Sequence, residues 1–348
     1  MIKFLIAPLL AAGTAAAMIW VGAEEQTYDL NVAFHCSHEV ANADLPAADI
    51  LVIGNSQTGA SIDQAYLQQL IAPEGGVTVE KLAVVQANIV TLRMIVDEYI
   101  ENRGAPKLVV YQPMVVLAEH WQQPAGHPIH PRATVAYQDW DKLVALQKDA
   151  RSSPTGSWLP HWAEKGFRTI PAMWVDRQVE RITATLSIPR MAEPKEACRT
   201  DAKFQLAGNW PYGTLPLKEG DNPGEVMDAA ERQEWQHDIE QRKAADVFSD
   251  SRVFEIDQNR KLLADIKSAG SEVVMVGYPS MGRSAADAQD FTDFGKALGG
   301  EVIDIRSRLT PEQQGRIEEI YRDPIHLNFE GAQIITEYMA GELKGRIK

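Results

Sequence analysis

The sequence predicts a three-layer α/β/α fold, a mostly parallel five-stranded sheet with helices on both faces, carrying a helical, tryptophan-rich insertion. Three observations lead there. Short aliphatic runs bounded by turn formers, such as Ile50-Leu51-Val52-Ile53 and Val273-Val274-Met275-Val276, have the continuous apolar character of strands buried on both faces. These runs alternate with amphipathic stretches of helical period, the pattern of right-handed βαβ units and hence of parallel pairing. From about residue 118 to 251 the strand pattern stops, and all but one of the chain's eight tryptophans gather there.

The chain opens with a single lysine, Lys3, ahead of an apolar stretch from Phe4 to Val21. That is the pattern of a secretory signal or of a single amino-terminal anchor, and the small residues Val21-Gly22-Ala23 favour removal. Either outcome puts the remainder in a periplasmic or other extracytoplasmic space, on the membrane only if the segment is retained. The implied organisation is residues 1–23 as export segment, 24–46 as an amino-terminal extension, 47–117 and 252–348 as the two parts of the sheet domain, and 118–251 as the insertion.

A net charge of −14, with 45% hydrophobic and 24% charged residues, fits an ordinary globular exported protein and argues against a nucleic-acid partner, which calls for a basic patch. The only two cysteines, Cys36 and Cys198, are candidates for a disulfide in an oxidising compartment. His35-Cys36-Ser37-His38 has no standard zinc spacing, and His127 and His130 each abut a proline, so no metal site is expected.

The first strand, Ile50 to Ile53, runs into Gly54-Asn55-Ser56-Gln57-Thr58, and a helix is expected from Ile62 to Leu70. Ser56 then sits where a strand's carboxyl end becomes a helix amino end, the usual place for ligand chemistry in an open α/β sheet. The plainer alternative is that Ser56 only caps that helix. Val77 to Val85 reads as the second strand, Asn88 to Asn102 as a helix, and Lys107 to Tyr111 as the third strand. Within the insertion Gln138 to Arg151 and Glu225 to Ala245 are charged and helical in pattern, and frequent prolines divide the rest.

The regular alternation returns with a helix over Phe254 to Ala269 closed by Gly270, a fourth strand over Glu272 to Gly277, a helix over Ala285 to Leu298 and a fifth strand over Glu301 to Ile305. Arg283, in the loop after the fourth strand, reads as a solvated arginine or a contact for an anionic substrate group. Near the carboxyl end stands Asp323-Pro324-Ile325-His326, followed by Asn328 as a helix cap and a closing helix over Phe329 to Leu343. Pro324 keeps Asp323 out of helical conformation, so its carboxylate can curl back to one imidazole nitrogen of His326 and leave the other to take a proton from a hydroxyl.

Gly54-Asn55-Ser56 near one end and Asp323-Pro324-Ile325-His326 near the other resemble the SGNH or GDSL-like serine esterases and acyltransferases. The resemblance covers about residues 47–117 and 252–345. It implies a flavodoxin-like SGNH fold, Ser56 as nucleophile, His326 as base and Asp323 as its orienting partner, with no cofactor. Gly54-Asn55-Ser56-Gln57-Thr58 lacks the second glycine of the nucleophile-elbow hydrolases. The family's glycine after the second strand and asparagine after the third, both feeding the oxyanion hole, are missing: Gln86-Ala87-Asn88 and Gln112-Pro113-Met114 stand there. A backbone N–H near Gln86 or Ala87 still offers a donor, and Asn88 or Gln112 is left to replace the missing side chain or to serve as a helix cap or strand-end hydrogen-bonder.

These departures resemble, more loosely, the exported polysaccharide O-acetylation and cell-wall D-alanine transfer proteins. The function implied is an exported serine esterase or O-acyltransferase acting on acyl esters, acetyl among them, of envelope or extracellular carbohydrate, with an integral membrane acyltransferase as a candidate partner. The competing function is a non-catalytic carbohydrate-binding or assembly protein that keeps the fold. Under either, the insertion is a lid whose tryptophans stack on sugar rings, or a small subdomain that uses them as core.

Overall fold

The computed structural model describes residues 34–84, 87–113, 139–152, 174–175, 177–178, 253–278, 293, 295–305, 310, 312, 320 and 326–347. Its centre is a five-stranded, wholly parallel sheet: β1 (Ile50–Gly54), β2 (Val79–Ala83), β3 (Leu108–Tyr111), β4 (Glu272–Gly277) and β5 (Glu301–Asp304), in the order β2-β1-β3-β4-β5. The helices are α1 (34–41), α2 (Ser56–Ser61), α3 (Gln64–Ile71), α4 (Ile89–Arg103), α5 (Trp140–Ser152), α6 (Val253–Ser268) and α7 (Phe329–Leu343).

Successive strand residues serve opposite faces, which is why β1 and β3 are apolar throughout rather than alternating. Leu51, Ile53, Leu82, Val109, Tyr111 and Met275 meet residues of α1, α4, α5 and α6 on one face. Ile50, Val52, Val79, Leu108, Val110, Val274 and Val276 meet Leu67 of α3 and Ile335, Met339 and Leu343 of α7 on the other. The molecule is therefore a three-layer α/β structure. The described part of the expected 24–46 extension belongs to it: Phe34, Cys36, Val40 and Ala41 of α1 are all buried in the first of these cores. Cys36 is disulfide-bonded, and the chain's other cysteine, Cys198, lies outside the described residues.

The charged groups that β2 carries into this core are hydrogen-bonded. Strand β2 carries Glu80 and Lys81 side by side, both buried on opposite faces. Arg103 Nη1 and Nη2 each donate to a Glu80 oxygen at 2.8 Å, and the Tyr99 hydroxyl donates to Glu80 at 2.7 Å. Being an edge strand, β2 has N–H groups facing outward, and the glutamines of α3 cover two of them. Gln68 accepts from Val79 N–H at 3.0 Å and Gln64 from Lys81 N–H at 2.9 Å. Residues four apart on a helix match residues two apart on a strand, so one helix face closes an edge that would otherwise invite another strand.

Most element boundaries fall within two residues of expectation, with the closing helix and β4 matching at both ends. One helix is added. The expected Ile62 to Leu70 helix is α3, which starts at Gln64 because Asp63 caps it, accepting from Tyr66 N–H at 3.0 Å; the residues just before Ile62 form the separate α2. Ser56 to Ser61 carries no aliphatic period, which is why the sequence pattern does not reveal α2. Among the described residues no helix is long and apolar enough to cross a membrane, and the expected export segment lies outside them.

Candidate active site

In a parallel sheet of this order the chain winds one way from β1 to β2 and the other way from β3 onward. The crevice between the carboxyl ends of β1 and β3 is the switch point where ligands bind in such folds. Ser56 follows β1 and Gln112 follows β3, so both stand at that crevice.

Ser56 is the first residue of α2, and the cap is its neighbour. Asn55 is extended (φ −99°, ψ −159°) and its side chain accepts the Gln57 N–H at 2.9 Å. With Asn55 capping, the Ser56 hydroxyl is released from that duty, which removes the plainer alternative for it. Gly54 is required just before the turn: a Cβ there would lie 1.8 Å from Thr58 Oγ1 and 3.0 Å from Gln112 Oε1.

The histidine arrives from the far end of the chain. Asn328 caps α7, accepting from Gly331 N–H at 2.9 Å, while its own N–H donates to the Ile320 carbonyl at 2.9 Å. A Cβ on Gly331 would lie 2.5 Å from that same carbonyl, so a glycine is needed for the approach. Helix α7 is then bolted to the α2–α3 corner. Thr336 Oγ1 accepts the Asp63 N–H at 3.0 Å, Gln333 donates to the Asp63 carboxylate at 3.1 Å, and the Tyr66 hydroxyl donates to Glu337 at 2.8 Å. His326 stands two residues before that cap, and the docking brings its Nε2 to 2.8 Å from Ser56 Oγ. Both side chains are half-buried, so the pair is reachable from solvent.

Behind Ser56 a row of side chains ties α2 to the sheet. Thr58, fully buried, donates to Gln112 Oε1 at 2.6 Å, and Gln112 Nε2 donates to Gln57 Oε1 at 2.5 Å. Tyr278, buried at the end of β4, turns its hydroxyl toward Thr58 without completing a hydrogen bond, and burial pushes that phenol well above its ordinary range. Gln57, Thr58 and Tyr278 escape sequence reasoning; their only signal is position, beside Ser56 or at a strand's carboxyl end.

No protein-family model matches the chain, and no curated protein matches it by sequence. The site therefore stands on its geometry.

Of the expected residues, Ser56 and His326 meet, and Gln112 stands beside the helix that Ser56 opens. Two others are engaged elsewhere. The Ala87 N–H donates to the Val84 carbonyl at 3.1 Å, and Asn88 caps α4 by accepting from Thr91 N–H at 2.8 Å, so the second strand's exit is held by its own turn and by the following helix. Asp323, Gln86 and Arg283 lie outside the described residues, as do His127, His130 and most of the insertion. Of the insertion's tryptophans, Trp140 packs at the edge of the α4–α5–α6 core with the Arg177 guanidinium 5.4 Å from its ring centre, and Trp174 is exposed. Among the described residues no group of three or more His, Cys, Asp or Glu is arranged to hold a metal ion.

Proposed function

We propose that the protein is an exported SGNH-type serine esterase or O-acyltransferase working through an acyl-enzyme on Ser56. The observation that carries this is the 2.8 Å approach of His326 Nε2 to Ser56 Oγ at the switch point of a parallel sheet. As Oγ bonds to the carbonyl carbon of an ester, its proton passes to Nε2; the same proton then leaves with the alkoxide as the tetrahedral intermediate collapses. Water or a sugar hydroxyl attacks the acyl-enzyme in the second half, returning the proton to Ser56 by the reverse route. Asp323, three residues before His326, is assigned by the resemblance to steady the imidazolium.

The developing oxyanion has two donors near at hand. The Ser56 N–H, in the first turn of α2, has no acceptor within its own helix, and the Gln112 amide carries a second N–H beyond the one given to Gln57. Each donor of this kind is worth about 3–4 kcal/mol to the transition state. The substrate class proposed is an acyl ester, acetyl in the first instance, of an envelope or extracellular carbohydrate, with an integral membrane acyltransferase as partner where transfer replaces hydrolysis.

The test is hydrolysis of a small aryl acetate ester by the wild-type protein and by Ser56→Ala, His326→Ala and Asp323→Asn. The first two should lose roughly 10⁴-fold or more in kcat while remaining folded, and Asp323→Asn should lose less. Full activity in either alanine variant contradicts the assignment. A wild-type protein that hydrolyses no ester while binding acetylated oligosaccharide favours the non-catalytic alternative.

A further inference from the structure

One buried cation holds the far end of the Ser56 helix. Lys81, in the middle of β2, is 1% exposed, and its side chain runs beneath the α2–α3 corner. Its Nζ donates to the Gly59 carbonyl at 2.9 Å and to the Ile62 carbonyl at 2.5 Å, the last turn of α2 and the residue just past it. Carbonyls at a helix end lack intrahelical donors, and the helix dipole places partial negative charge there, so an ammonium satisfies both needs.

Packing alone does not account for a lysine in this slot. An apolar side chain of the same length fills it without the desolvation cost of a buried ammonium. Burial indeed drives the Lys81 pKa down to about 8, with the Asp63 carboxylate at the head of α3 pulling the other way. Gln64 of α3 and Gln333 and Thr336 of α7 add neutral groups at that corner, and Glu337 of α7, bonded by the exposed Tyr66 hydroxyl, adds a second carboxylate at its outer side.

Helix α2 has only six residues, too few to hold its own geometry. Its first turn is fixed by the Asn55 cap and by the bond from Thr58 to Gln112, and its last by Lys81. We propose that Lys81 is a positioning residue for the nucleophile: its two hydrogen bonds set the orientation in which α2 presents the Ser56 hydroxyl to His326. This rests on Ser56 being the nucleophile. Misplacement of a reacting atom by about 1 Å costs roughly 100-fold in rate, so a single anchor at the end of a short helix has leverage on chemistry. Loss of the Lys81 proton leaves two N–H groups for the two carbonyls but removes the charge from the helix end.

The experiment uses the full chain, with Lys81→Met, Asp63→Asn and Ser56→Ala, each shown folded by circular dichroism. The readouts are kcat and KM on an aryl acetate and the rate constant for Ser56 labelling by a fluorophosphonate, from pH 6 to 9.5 and well below the melting temperature. The wild-type rates should decline at alkaline pH as Lys81 loses its proton, and Lys81→Met should lower kcat and the labelling rate about 10- to 100-fold with KM nearly unchanged and no such decline. Asp63→Asn should move that decline to lower pH, because the carboxylate no longer supports the ammonium. A Lys81→Met protein that reacts at the wild-type rate overturns the proposal. If that variant does not fold, the wild-type and Asp63→Asn profiles decide: a decline that shifts supports it, and a decline that is absent or stays in place overturns it. Activity retained by Ser56→Ala refutes instead the nucleophile on which the proposal rests, and removes it for that separate reason.

Discussion

Gln112, at the end of β3, accepts a hydrogen bond from Thr58 at 2.6 Å and so ties the strand on one side of the switch point to the helix that begins at Ser56 on the other. Its amide nitrogen reaches Gln57 in the same helix at 2.5 Å. The carboxamide thus lies along the first turn of α2, and its second N–H is the side-chain donor proposed for the oxyanion.

Gln112→Ala should therefore lower kcat for an aryl acetate about 100-fold or more, the loss of one oxyanion donor together with the Thr58 clamp. KM should move little, since the donor strengthens in the transition state rather than on binding. Steady-state kinetics on the purified variant checks it, and an unchanged kcat contradicts it.

The Glu80–Arg103 pair joins the edge strand β2, helix α4 and the loop after α1. The Arg103 guanidinium also donates to the carbonyls of Val40, Leu45 and Pro46 and stacks 4.7 Å from the Tyr99 ring centre. Removing one partner of a buried, fully bonded pair leaves the other charge stranded, so Glu80→Ala and Arg103→Ala should each cost about 3–5 kcal/mol. The double variant should cost less than the sum. Urea unfolding of the three variants measures this, and a single substitution that leaves stability unchanged argues against it.

Asp97 on α4 gives the fold a pH dependence of unusual sign for a carboxylate. Burial, then the neighbouring Asp265 charge, raises its pKa from 3.8 to about 6, against the pull of Arg93 and Lys142. The folded state therefore holds a proton that the unfolded chain has released, and the stability gained from it fades as pH rises from about 4 through 6. Asp97→Asn should raise the melting temperature at pH 7.5 and leave it nearly unchanged at pH 3.5. Equal shifts at the two pH values, or a loss at pH 7.5, contradict this.

Much of the sheet was legible because a parallel strand buried on both faces has to be apolar at every position, and Ile50 to Ile53 or Val273 to Val276 admit few other structures. Caps were legible for a similar reason: Asn328 and Gly270 sit where a helix start and stop need a side-chain acceptor and a positive φ. What stayed hidden was long-range. Glu80 and Lys81 look like a solvated pair in sequence, whereas each is buried against a partner, Arg103 and the end of α2, which no local pattern reveals. Helix α2 stayed hidden because Ser56 to Ser61 carries no aliphatic period. Ser56 and His326 were identifiable because their flanking turn residues mark them, but Gln57 and Thr58 acquire a role only once β3 is placed beside β1.

The central claim is that Ser56 is an activated nucleophile with His326, 270 residues away in sequence, as its base. Mass spectrometry of the intact protein after exposure to a fluorophosphonate tests it most directly, since an unactivated serine does not react with such a reagent. One adduct per chain is expected, mapped to Ser56 and lost in His326→Ala. An unmodified wild-type protein, or an adduct on another residue with Ser56 untouched, contradicts it.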